Sequence, residues 1–95
     1  MSPKIGLLQI DIRIPGALSL KDKRQHLKSF RDGIRAKFNV SVAEVGDPDL
    51  WKRIHLAVAM VSNEELLIRE VFSKIVSLIA LDTEVEILEE QVEML

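Results

Sequence analysis

The chain contains no cysteine, which removes disulfides, thiolate metal sites and cysteine nucleophiles together. Aromatic residues make up only 4% of the 95 residues, against 47% apolar, so the core has to be assembled from Leu, Ile and Val. Surplus aliphatic surface on so small a body points to self-association. No apolar run is longer than LAVAMV, Leu56 to Val61, far below the roughly 20 residues a membrane-spanning helix needs. Near the N-terminus, Gln9, Asp11 and Arg13 come too early for the apolar centre of a signal peptide. A cytoplasmic protein with no membrane span is the expectation, and the length implies one domain over residues 1–95.

A large charge excess is also missing, the formal net charge being -2. Even so, seven of the thirteen cations gather between Leu20 and Phe38. Their placement depends on the elements around them. Leu8, Ile10, Ile12 and Ile14 alternate with Gln9, Asp11 and Arg13, the period-2 pattern of a half-buried strand. Pro15-Gly16 breaks it, and Ser19 with Asp22 resembles a capping box opening a helix. Leu20, Leu27, Phe30, Ile34 and Phe38 recur on that helix's buried face, and the helix is expected to end near Phe38-Asn39.

Asn39 to Val45 is rich in β-branched residues and stops at the turn cluster Gly46-Asp47-Pro48-Asp49, so it reads as a second strand. Arg53 to Ser62, apolar on both faces, reads as a central third strand. Ser62 with Glu65 signals the start of a second helix, whose apolar stripe runs from Leu67 to Ile79. The last segment alternates at Val85 and Ile87 and loses phase at Leu88 to Glu90, the mark of a bulged edge strand. The order β-α-β-β-α-β predicts an α+β, ferredoxin-like fold: a four-stranded antiparallel sheet in order 4-1-3-2, with two helices on one face.

On a wheel of about 100° per residue, Lys21, Arg24, Lys28, Arg31 and Arg35 fall in one narrow sector beside the apolar face. Asp22 and Asp32 fall outside it, so no carboxylate on the same helix is expected to interrupt the row. Like charges at these spacings, and cations near the positive end of the helix dipole, both disfavour the helix. Helix stability therefore does not explain the row. The ordinary explanation is a wet face neutralised by Glu84, Glu86, Glu89, Glu90 and Glu93, within the molecule or across a dimer. The functional explanation is phosphate contact with an extended polyanion, most simply RNA. With no aromatic in the row, such contact would read shape and charge and not sequence.

Other features are weaker. His26 and His55 are far apart in sequence and lack a third nitrogen ligand, so neither a metal site nor a catalytic site is expected, and no cofactor is implied. His55 is expected to pair with Asp11 on the neighbouring strand. Trp51 is able to stack on a base, although a residue in this position more often folds back over the core or a subunit contact. Pro15-Gly16 reads as a turn. The outward positions of the central strands, Gln9, Asp11, Arg13, His55, Ala57, Ala59 and Val61, lack the aromatics of an RNA recognition motif. Ala57, Ala59 and Val61 suit packing against another chain, its own copy included.

Ile14 to Val45, continued by Asp49-Leu50-Trp51-Lys52-Arg53 and by Val58 to Asn63, resembles the YlxP-like family of small bacterial proteins. The most specific parts are Ser19-Leu20-Lys21 with Lys23-Arg24, the run Phe38 to Glu44, and Asp49-Leu50-Trp51 with Arg53. The resemblance implies a ferredoxin-like, dimeric domain of undefined role, whose genes lie near those of translation initiation and ribosome-maturation factors. It supplies no catalytic residues. It leaves Lys21, Lys23, Arg24, Trp51 and Arg53 as candidate contacts, with Lys28, Arg31 and Arg35 resting on the wheel alone. Together these readings favour a non-enzymatic homodimer that touches RNA, with the ribosome as the implied setting, through the first helix. The rivals are a protein-interaction dimer without nucleic acid, and a small-molecule regulatory domain with a pocket beside Pro15-Gly16-Ala17.

Overall fold

In the computed structural model, which describes residues 2–95, the chain runs β1 (Lys4–Arg13), α1 (Leu20–Lys37), β2 (Ser41–Val45), β3 (Arg53–Ser62), α2 (Glu65–Ala80) and β4 (Glu86–Met94). The four strands form one antiparallel sheet in the order β2-β3-β1-β4. This is the expected order read from the other edge. The inward faces of β1 and β3 meet both helices in a single core, in which Ile10, Ile12, Ile34, Ile54, Leu56, Val58, Ile68, Ile75 and Ile79 are fully buried. Each such side chain contributes about 1.5–3 kcal/mol by leaving water. Truncating one of them to Ala, Ile10 for instance, costs about 2–5 kcal/mol once the cavity is included.

β1 begins at Lys4, four residues before the expected Leu8. Gly6 takes an inward position there, and a Cβ built on it would lie 2.5 Å from Ile68 Cγ2 and 3.0 Å from Phe72 Cε2. This glycine is where α2 presses on the sheet. Ile14 lies past the end of β1, yet it is buried and its N–H donates to the Lys52 carbonyl at 2.8 Å.

The first helix is capped much as expected. Ser19 Oγ accepts from the Asp22 N–H at 3.1 Å, while the Asp22 carboxylate accepts from the Leu18 N–H at 2.9 Å instead of from Ser19. The second helix differs. Ser62 stays in β3 and its hydroxyl accepts from the Glu64 N–H at 3.1 Å, a turn contact, leaving Glu64 as an N-cap without a side-chain bond. β2 is shorter than expected, starting at Ser41. In β4 the register against β1 shifts between Asp11 and Ile12, where Leu88 is left without a partner: the bulge falls where the alternation loses phase. No helix is long and apolar enough to cross a membrane among the described residues.

Candidate functional site

Along α1, Lys21, Arg24, Lys28 and Arg35 are exposed and Arg31 is half-buried. Among the described residues, Lys21, Arg24 and Arg31 make no ion pair. Lys28 does, with Asp32 one turn on at 2.6 Å. This corrects the expectation of an uninterrupted row. Asp32 lies only about 20° beyond the sector's edge on the wheel, and a long lysine side chain spans that gap. Its carboxyl is held below the ordinary aspartate range by the Lys28 hydrogen bond, with the charges of Lys28, Arg35 and Arg31 adding to the effect. Arg35 donates to the Val42 carbonyl at 3.3 Å, tying the helix to β2.

The C-terminal glutamates do not neutralise the stripe within the molecule. Glu86 pairs with Arg13 at 3.6 Å and Glu84 approaches His26 at 3.3 Å, and among the described residues no glutamate of this tail pairs with a stripe cation. Topology explains the separation. α1 packs against β2 and β3, whereas β4 forms the far edge of the sheet beyond β1.

Lys23 leaves the list of contact candidates. It is 1% exposed, with Nζ 2.7 Å from Glu44 Oε2 and donating to the Pro48 carbonyl at 2.8 Å. The approach to Glu44 is off the axis of a hydrogen bond, so that contact is an ion pair and Oε2 has no hydrogen-bond partner. The signal was present in the wheel. Lys23 sits at about 200° from Lys21, between Phe30 and Ile34, in the middle of the apolar arc. Glu44 likewise follows Val42 in the inward phase of β2.

That contact pins the loop between β2 and β3 to α1, and the loop carries Trp51. The tryptophan is 51% exposed beside an exposed Leu50, so it does not fold back over the core. Arg53 is engaged by Asp11 through both carboxylate oxygens, Nε to Oδ1 at 3.2 Å and Nη2 to Oδ2 at 2.5 Å. The expected Asp11–His55 pair is therefore absent. The two residues are opposite in register, but the arginine fork fits a carboxylate in bidentate fashion, and His55 Nε2 turns to Gln9 Oε1 at 3.0 Å.

On another side of α1 lies a cleft of about 460 Å³ lined by Ile14, Pro15, Gly16, Ala17, Asp22, Gln25, His26 and Glu84. His26 Nδ1 contacts Asp82 Oδ2 at 2.5 Å and its Nε2 faces Glu84 Oε2 at 3.3 Å. Sequence reasoning paired neither histidine with these acids, because His26 and Asp82 are 56 positions apart.

Comparisons with known proteins agree with this architecture. A family model described as a protein of unknown function (DUF503) matches residues 5–92. The chain is 33% identical over 82 residues to the uncharacterized protein YlxP of Bacillus subtilis (strain 168), covering 86% of this chain and 89% of that one. A solved structure, the de novo designed protein Foldit4, superposes with a TM-score of 0.57 over 97% of both chains at 15% identity. At that identity the likeness concerns the fold alone.

Proposed function

We propose a role for this chain, which belongs to the DUF503 family of YlxP-like proteins of unknown function: it is a non-enzymatic binding domain that holds structured RNA by its phosphates. The observation that carries this reading is the row Lys21, Arg24 and Arg31, none of which forms an ion pair with a carboxylate of its own chain among the described residues, Asp32 lying near enough only to feel the charge of Arg31. Lys28 and Arg35 extend the row. Cations gathered along one helix face, most of them unpaired, form an electrostatic footprint for a polyanion. The half-exposed Trp51 adds one stacking surface at the loop that Lys23 fixes.

The protein acts as a homodimer in this reading. The outward sheet face carries Ile5, Leu7, Ala57, Ala59 and Val61 in neighbouring register positions, with no helix over them. A second copy is the proposed cover, and sedimentation equilibrium tests it.

Binding to total RNA at a series of salt concentrations tests the RNA reading. Three phosphate contacts on a single strand give a slope of log affinity against log salt near -2, and all five stripe cations near -3.5. Replacing Arg24 and Arg31 by Gln flattens the slope. Salt-insensitive binding, or none, sinks the proposal. The cleft beside Pro15-Gly16-Ala17 supports a second reading, a ligand-holding regulatory domain.

A further inference from the structure

The geometry points to a divalent-cation site in the cleft at the β1–α1 turn, with His26 Nε2 and Glu84 as ligands and Asp82 as the residue that positions them. It rests on the ligand-cleft reading and names the ligand.

Asp82 Oδ2 lies 2.5 Å from His26 Nδ1. A carboxylate only accepts, so a neutral ring carries its proton on Nδ1 and leaves the lone pair on Nε2. That lone pair faces Glu84 Oε2 at 3.3 Å. Two acceptors facing each other repel unless a second proton or a cation lies between them. Two ligands of one cation, each about 2.0–2.1 Å from it, stand about 2.8–3.0 Å apart in octahedral and about 3.3–3.4 Å apart in tetrahedral geometry. The observed spacing matches a tetrahedral ligand pair.

The surroundings supply the rest of such a site. A histidine whose far nitrogen donates to a carboxylate is the usual arrangement behind a metal. Asp82 also accepts from the Glu84 N–H through Oδ1 at 3.0 Å, so one side chain holds both ligands. Asp22 and Gln25 line the same cleft, which has room for metal-bound water and offers it hydrogen-bonding partners. Mixed imidazole and carboxylate donors select a borderline first-row cation such as zinc over calcium or magnesium. The unaided ion-pair alternative is a doubly protonated His26 bridging the two acids.

The test is calorimetric titration of tag-free, chelator-treated full chain with zinc, combined with long-range nitrogen NMR of the histidine rings. One zinc per chain is expected, with His26 protonated at Nδ1 alone and its Nε2 signal shifted on loading. Glu84→Ala, a change at a side chain 76% exposed, and His26→Gln each weaken binding at least tenfold, and Asp82→Asn weakens it about 10- to 100-fold while mixing the ring tautomers. His55→Gln leaves it unchanged. No saturable binding at millimolar zinc, undiminished binding in Glu84→Ala and His26→Gln, or protons on both His26 nitrogens with zinc present overturns the site. An organic ligand bound in the cleft without metal would leave the broader cleft reading standing and end this one.

Discussion

Lys23 Nζ and Glu44 Oε2 stand 2.7 Å apart beneath the β2–β3 loop, the lysine side chain 1% exposed and the glutamate 15%. Taking two such charges out of water is costly, and their attraction does not by itself make them stabilising. Their geometric effect is clearer. The same ammonium holds the Pro48 carbonyl, so the loop bearing Trp51 and Lys52 is fixed against the first helix.

Removing Lys23 alone leaves Glu44 an unpaired buried charge, so Lys23→Ala should destabilise the protein by about 3–5 kcal/mol in urea unfolding. The double change Lys23→Met with Glu44→Leu removes both charges at similar volume and should recover most of that loss. A Lys23→Ala variant as stable as the parent, or strictly additive single changes, contradicts a buried pair. The folded double variant should keep the RNA salt slope, because Lys23 faces the core and not the stripe, and any loss of affinity should come from the loop of Trp51, which the Pro48 contact no longer holds.

At Gly6, α2 packs directly against the sheet backbone. A methyl group there meets Ile68 Cγ2 at 2.5 Å, with the edge of the buried Phe72 ring at 3.0 Å, and neither has room to withdraw. Gly6→Ala should cost about 1–3 kcal/mol through overpacking. Its cost should shrink in an Ile68→Ala background, which deletes the clashing atom. Equal cost in both backgrounds would assign the effect to the strand backbone and not to the helix contact.

Much of this architecture can be read in the pattern of residues. β3 matches the expected strand at both ends, and the phase loss at Leu88 locates a real bulge, because alternation reports directly which side of a sheet is buried. The alternation begins the first strand at Leu8, whereas it starts at Lys4 and uses Gly6 as a packing site. The other misreadings share one cause: a residue type taken at its average behaviour. Ser62 resembled a cap and ends a strand. Lys23 resembled a surface cation although its wheel position was apolar. The His26–Asp82–Glu84 cluster leaves no local trace, since it exists only after β4 has paired with β1 and brought the preceding turn against α1.

Asp32 sits beside the stripe and titrates below the ordinary aspartate range because Lys28 donates to it. Its folded value is thus below its unfolded one. The stability it contributes is present above the unfolded value and is lost as the pH falls through the folded value. A carboxyl carbon NMR titration should find its midpoint below that of an unfolded aspartate, and Lys28→Ala should move it upward. Asp32→Asn releases Lys28 for phosphate, so RNA affinity should rise and the salt slope should steepen by about 0.7 for one added single-strand contact. Lower affinity in Asp32→Asn would mean that Asp32 organises the stripe and does not mask it.

Neutralising the acidic edge separates the RNA reading from the interaction-dimer reading. Glu89, Glu90 and Glu93 lie on β4, the strand farthest from the β2 side over which α1 packs. At physiological salt a charge is screened beyond about 8 Å, so acids at that edge have little influence on phosphates held along the helix. Changing all three to Gln should leave the RNA salt slope unchanged and the dimer dissociation constant within a few-fold of the parent. If stripe and tail instead pair between subunits, the same variant must weaken the dimer, and adding salt to the parent must weaken it in the same way. That outcome would place the stripe's counter-ions on a second protein chain and remove its claim on nucleic acid.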